Sequence, residues 1–197
     1  FATQGFYFKF ARGLLPYQLS CSEFRRFLSS YIHDERSVYS QILNLDSIQK
    51  QYLMDLLVEN HEPANREYLY NFLYDNCSTR VRDIIEKSTG NQITWITQPS
   101  TKSFWNLLDE YLGRSPWIQW GIHTILGSPA TSTATIHEQM FLPDYLMYRL
   151  DSAAYNGTPL VQPIETVYEA PEQDLSTPWY FSPFFVFAIC TLALILF

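Results

Sequence analysis

Cys77 stands where a thiol can act as a nucleophile. It lies in the run Tyr68-Leu-Tyr-Asn-Phe-Leu-Tyr-Asp-Asn-Cys-Ser-Thr-Arg-Val-Arg-Asp83. An aromatic, apolar stretch ends at Asp75-Asn76, and a helix-forming stretch opens at Cys77. Asn76 is a favourable N-cap. The thiol then falls in the first helical turn, near unsatisfied N–H groups and the positive end of the macrodipole, which favours a thiolate. Attack of a thiolate on an ester carbonyl creates an oxyanion. The N–H groups at Cys77 and Ser78 are natural donors for it, and the Asn76 amide can add one. Arg80 lies on an adjacent face and can hold a phosphate or carboxylate, or form an ion pair with Asp75 or Asp83. Arg82 and Asp83 can fix the helix against neighbouring loops. Cys77 shares a helix face with Val81, Ile84 and Ile85, so its sulfur is expected against the core at a cleft edge. The plainer alternative is that Cys77 is a small buried hydrophobe, the commoner fate of a free cysteine. Both readings stay open on physical grounds.

A thiol nucleophile needs a base, and the chain has four histidines. His33 and His61 sit at helix ends among charged residues and read as solvated caps. His123 has an apolar setting and reads as a core or interface histidine. His137 precedes Glu138, which can orient it. None has a spacing that singles it out, and a catalytic partner need not be near in sequence. Cys21 lacks the cap geometry and reads as structural. Cys190 sits in an apolar tail and reads as inert packing. A Cys21–Cys77 disulfide is possible outside the cytoplasm.

The elements that must position Cys77 alternate along the chain, without internal repeats. Phe6 to Ser20 is irregular or strand-like. Ser22 can cap a helix over 23–31, with Phe24, Phe27 and Leu28 on one face. Ser37 to Leu43 alternates polar and apolar, as a strand does. Asp46 or Ser47 caps an amphipathic helix whose stripe is Ile48, Tyr52, Leu53, Leu56 and Leu57, ending before Pro63. Tyr68 to Tyr74 suits a buried strand. The helix from Cys77 runs to about Lys87, with Gly90 as its stop. Weaker helical patterns cover 103–111, 117–126 and 138–150. The pattern predicts an α+β domain.

Composition narrows the function. The 197 residues are 47% hydrophobic and 17% aromatic, so the chain can bury a core and is not a disordered segment. Only 17% are charged and the net charge is −7, which argues against a nucleic-acid partner. Three cysteines make no disulfide scaffold, and no paired Cys/His cluster suggests a metal or other cofactor. The last charged residue is Asp174, and everything after it is uncharged. The run from Tyr180 to Phe197, behind Trp179, reads as the start of a transmembrane helix over 179–197, about 27 Å from Tyr180 if fully helical. Its flank holds Asp151, Glu165, Glu169, Glu172 and Asp174 but no Lys or Arg beyond Arg149, which places the preceding domain outside the cytoplasm. Pro159, Pro163, Pro171 and Pro178 make 154–178 read as an extended tether. The expected division is therefore a thiol domain over 1–153, the tether over 154–178 and the membrane segment over 179–197. The uncapped apolar end suggests a piece of a longer membrane protein.

The run Tyr74-Asp-Asn-Cys-Ser-Thr-Arg-Val-Arg-Asp83 resembles the signature of the Lnb-type bacterial lipoprotein N-acyltransferases. Upstream, Phe10-Ala-Arg-Gly13, Tyr17-Gln-Leu-Ser-Cys21, Arg36-Ser-Val-Tyr39 and Ile42-Leu-Asn-Leu45 fit the same pattern. Downstream, Pro116-Trp117, Leu126-Gly127 and Met140-Phe-Leu-Pro-Asp-Tyr145 also fit. The resemblance covers roughly residues 1–155. It implies a permuted NlpC-like, papain-related thiol fold on the periplasmic face of the inner membrane, followed by membrane helices. It makes Cys77 the nucleophile, which takes an acyl chain from a phospholipid as a thioester. The acceptor is the α-amine of a diacylated lipoprotein's N-terminal cysteine. The family's Gly-His motif has no match here. The resemblance thus places the catalytic histidine before Phe1; a chain that begins at Phe1 is expected to be inactive or to use His123 or His137. Two other functions share these features: a membrane-tethered cysteine peptidase or amidase acting on cell-wall peptides, and a non-catalytic membrane-anchored module.

Overall fold

The computed structural model describes residues 9–10, 13–113, 115–171 and 177–196. The start of the strand-like stretch from Phe6, the acids Glu172 and Asp174, and Phe197 lie outside the described residues. The fold is mixed α+β, and the chain divides into two compact units. One combines Phe1–Pro99 with Ile136–Pro171, and the other combines Ser100–Thr135 with Glu172–Phe197.

The first unit carries Cys77. Its elements are β1 (Leu15–Gln18), α1 (Phe24–His33), β2 (Val38–Ser40), α2 (Ser47–His61), β3 (Glu67–Tyr70), α3 (Cys77–Ser88) and β4 (Ile93–Thr94). After the break come α6 (Ile136–Gln139), α7 (Pro143–Ser152), β5 (Ala154–Tyr155), β6 (Thr158–Pro159) and β7 (Glu165–Tyr168). All pairings are antiparallel. β1 pairs with β3 in the register Leu15↔Tyr70 and Tyr17↔Tyr68, β2 pairs with β7, and β4-β5-β6 form a three-stranded sheet. The core joins Leu45, Ile85, Met140, Leu146, Leu150, Ala153, Leu160 and Val161, and α3 packs on α2 and α7.

Capping sets where the helices start. The Asp46 side chain accepts from the Gln49 N–H while the Gln49 side chain accepts from the Asp46 N–H, a closed capping box that starts α2. The inner face of α2 is not the expected stripe. Gln49 is buried and Leu53, Leu56 and Asn60 are half-buried, whereas Ile48 is 81% exposed and Tyr52 is exposed. The strand predicted over Tyr68–Tyr74 stops at Tyr70 because Asn71 turns the chain. Its Oδ1 accepts from the N–H groups of Leu73 and Tyr74, and Asn71 bridges to Asp75 through paired backbone bonds. The strand predicted over 37–43 is confined to Val38–Ser40.

The expected tether is packed structure over 154–171. Leu160 and Val161 are buried, Leu43 bridges to Val161, and the Leu160 N–H donates to the Ala153 carbonyl. Pro159 is accommodated because β6 is an edge strand, where a missing N–H is harmless.

The second unit holds α4 (Phe104–Leu112), α5 (Pro116–Leu126), short 3-10 turns at Ser128–Thr131 and Trp179–Phe181, and α8 (Pro183–Leu196). Phe104, Leu107 and Ala130 are buried in it. Trp117 and Trp120 of α5 pack on Phe187 of α8, and the Trp117 indole N–H donates to the Phe181 carbonyl at 2.6 Å. The predicted membrane segment is helical only from Pro183, which occupies the first turn, because Trp179–Phe181 form the separate turn. The resulting 14 residues extend about 21 Å. No helix among the described residues is long and apolar enough to cross a membrane.

Candidate active site

Asn76 builds the N-terminal end of α3. Its backbone is extended, and its Oδ1 accepts from the N–H groups of Ser78 (2.9 Å) and Thr79 (3.0 Å), while its own N–H donates to Thr79 Oγ1 at 2.8 Å. Its Nδ2 donates to the carbonyls of Phe72 and Phe141, both at 2.9 Å. Every polar group of this buried side chain is therefore engaged, as burial demands. The cap and the two carbonyl bonds hold α3 against the turn after β3 and against the segment that leads into α7.

This corrects the expected oxyanion donors. The Asn76 amide has no free N–H, and the Ser78 N–H is bonded to the cap. The Cys77 N–H has no partner among the described residues, so it is the donor that the first turn leaves open.

Cys77 itself is exposed and free, as are Cys21 and Cys190, so no Cys21–Cys77 disulfide exists here. The expected face against the core is also corrected. The buried side of α3 is Ser78, Thr79, Arg82, Ile85 and Ser88, and Val81 is exposed beside Cys77. The cleft-edge position does hold. Cys77 and Val81 form a ridge between two cavities. On one side is an apolar groove of about 520 Å³ that includes Phe27 of α1, Pro143, Leu146, Met147 and Leu150 of α7, and Ser78. On the other side is a chamber of about 250 Å³ that includes Tyr17 of β1, Asn60 of α2, Tyr68 of β3, Arg66 and Arg80.

The β1–β3 pairing brings the chamber's tyrosines together, with the rings of Tyr17 and Tyr68 5.8 Å apart. Partial burial and then the nearby Cys77 raise the Tyr17 phenol above its ordinary range. The same causes push Tyr68 up to about 12 and raise Tyr70 further. These phenols stay protonated at neutral pH, so Tyr17 and Tyr68 are O–H donors on the chamber wall.

Arg80 is already engaged. Its Nε and Nη2 bind the two oxygens of Asp75 at 2.7 and 2.9 Å, and its guanidinium lies 3.7 Å from the Tyr68 ring centre. It therefore acts as a brace at the foot of α3. Arg82 holds Asp83 at 2.6 and 2.8 Å and donates to the His137 carbonyl at 3.0 Å. The sequence reading missed Arg66, whose Nε is enclosed without a hydrogen-bond partner. Tyr17 was legible only as part of a strand-like stretch and of the family-like run Tyr17-Gln-Leu-Ser-Cys21, and Tyr68 only as part of a buried strand.

The histidines stand apart from Cys77. His137 Nε2 lies 3.1 Å from Glu86 Oε1, which also accepts from the Trp95 indole at 2.8 Å, so its orienting group is Glu86. Glu86 is nine residues beyond Cys77, which places it about 13 Å along α3 and on the opposite side. His137 is thereby corrected as a base for Cys77. His33 and His61 are exposed last residues of α1 and α2. In the second unit, His123 stacks on Trp105 at 4.8 Å, and its Nε2 is 2.8 Å from Asp109 Oδ1 without hydrogen-bond alignment. Among the described residues, no His/Cys/Asp/Glu group is placed to hold a metal ion.

A family model described as the Lnb N-terminal periplasmic domain matches residues 2–109, a span that includes Cys77 and both cavities' contributions from α1, α2, α3, β1 and β3. Comparison with curated proteins and with solved structures gives no significant match.

Proposed function

We propose, because the chain belongs to the Lnb N-terminal periplasmic domain family, that it carries the nucleophile of a membrane-associated acyltransferase with this domain in the periplasm of the inner membrane. The thiol domain is read as a permuted NlpC-like, papain-related fold. The observation that carries the proposal is the free, exposed Cys77 at the start of a capped helix, on the ridge beside an apolar groove.

The Cys77 thiolate attacks an acyl ester of a phospholipid. A C–S bond forms, the ester C–O bond breaks, and the lysophospholipid alkoxide takes up the proton given up by the thiol. The α-amine of a lipoprotein's lipidated N-terminal cysteine then attacks the thioester. A C–N bond forms, the C–S bond breaks, and the amine proton returns to the sulfur. The Cys77 N–H, left open in the first turn, serves the developing oxyanion, and the Tyr68 phenol on the chamber wall adds an O–H donor. The apolar groove suits an acyl chain, whereas cleavage of cell-wall peptides calls for a polar one.

Intact mass of the full-length protein, taken with phospholipid in detergent, tests this. An acyl-sized adduct on Cys77 is expected. Cys77→Ala and Cys77→Ser should lose the adduct and about a thousandfold or more of the N-acylation rate, with unchanged circular dichroism. Retained N-acylation in either folded variant overturns the proposal, as does release of cell-wall peptides without an adduct.

A further inference from the structure

The chamber on the other side of Cys77 has a wall unlike the surface of an acidic protein. The chain carries a net charge of −7. Yet the chamber is lined by Arg66 and Arg80 and by no carboxylate. Arg80 is neutralised by its two-point bond to Asp75. Arg66 is not: its Nε is fully enclosed, without a hydrogen-bond partner, and its side chain forms no ion pair among the described residues. The Arg66 side chain is half-buried, and its Nε, withdrawn from water without a partner, is a donor open to a ligand in the chamber. Asn60 and the protonated phenol of Tyr68 share the wall, so the chamber offers a cation and neutral donors together. This set suits a phosphodiester, because guanidinium groups bind phosphate oxygens through directed N–H donors.

We infer that the Arg66 chamber is an anion site that takes the phosphodiester of the acyl-donor lipid while its acyl chain lies in the apolar groove across Cys77. This rests on the acyl-transfer reading. The Cys77–Val81 ridge lies between the two cavities, where an ester linking a headgroup to an acyl chain would cross it. Arg66 is then a binding residue that selects anionic donors, while Arg80 stays paired with Asp75.

The test uses the full-length protein carrying Cys77→Ser, which binds without reacting. A short-chain phospholipid, the matching uncharged diacylglycerol and inorganic phosphate are titrated by calorimetry. Adding Arg66→Gln should weaken phospholipid binding at least tenfold and leave diacylglycerol binding unchanged. Arg66→Lys should restore part of the loss. Equal phospholipid binding with and without Arg66→Gln overturns the anion site. Inorganic phosphate that binds as tightly as the phospholipid overturns the lipid assignment. Loss of diacylglycerol binding alongside phospholipid binding shows a structural role and overturns it too. The adduct on wild-type Cys77 reads separately. If the headgroup site is found but no thioester forms, the acyl-transfer reading fails while the anion site stands.

Discussion

At its N-terminal end, α3 leaves a thiol exposed between two cavities. At its C-terminal end, the same helix ties Glu86 to His137 and Trp95. Both ends collect residue types that catalysis uses, but the N-terminal end sets its thiol beside two cavities. At the N-terminal end the Asn76 cap engages the Ser78 and Thr79 N–H groups and leaves the Cys77 N–H open, and Arg66 Nε is enclosed without a hydrogen-bond partner. At the other end, the Glu86 carboxylate takes two donors and no cavity adjoins a nucleophile. A Glu–His pair there is a structural clasp between α3 and α6, so the presence of suitable residue types does not by itself define a site.

The largest expected effect comes from removing what makes the N-terminal end rigid. Asn76→Ala deletes the cap and leaves the carbonyls of Phe72 and Phe141 without their donor, so it should destabilise by about 2–4 kcal/mol in urea unfolding. Asn76→Asp keeps the cap oxygen but loses both donors, and should also be destabilised. Cys77→Ala, one residue on but exposed, should change stability by less than about 1 kcal/mol. Comparable losses at 76 and 77 would show Cys77 to be a packing residue, and the contrast between the two ends would collapse.

A smaller effect is expected at the brace. Asp75 and Arg80 are both partly exposed, so their pair is screened by solvent despite its two-point geometry. A double-mutant cycle with Asp75→Asn and Arg80→Gln should give a coupling of about 0.5–1 kcal/mol. A coupling near zero would leave Arg80 free to act as a ligand-binding cation, and would blur its distinction from Arg66.

Local signals made much of this end legible in the sequence. An Asn before Cys77 with Thr three residues on specified both the start of α3 and its cap, because capping is a short-range interaction. Asp46 with Gln49 did the same for α2. What the sequence hid was decided at long range. The burial of Leu160 and Val161 depends on pairing with the chain near Leu43, so a proline-rich stretch read as a tether. Periodicity located α2 but not its inner face: Leu53 and Leu56 turn inward, whereas apolar Ile48 and Tyr52 of the same expected stripe are exposed. His137 sits next to Glu138 in sequence, yet the turn before α7 presents it to Glu86. Arg66 had no motif to announce it. It became a candidate only when β3, α2 and α3 enclosed it beside Cys77.

The finest test of the comparison is the pH response of the C-terminal clasp. Burial tends to raise the Glu86 carboxyl, but the hydrogen bonds from His137 and Trp95, with the charges of His137 and Arg82, bring it below its ordinary value of 4.5. A carboxyl lowered in the folded state stabilises the fold above 4.5, and that contribution is lost as the pH falls through the lowered folded value. Glu86 is partly exposed, so the effect should stay at or below about 1 kcal/mol. Glu86→Gln should therefore lower the urea midpoint slightly near neutral pH and flatten its fall in acid, and His137→Asn should reduce the same slope. Neither substitution should change thioester formation at Cys77 by more than about twofold, because about 13 Å of helix and half a turn separate the two ends. If either folded variant abolishes the thioester, the two ends of α3 belong to one site after all, and His137 returns as a catalytic group.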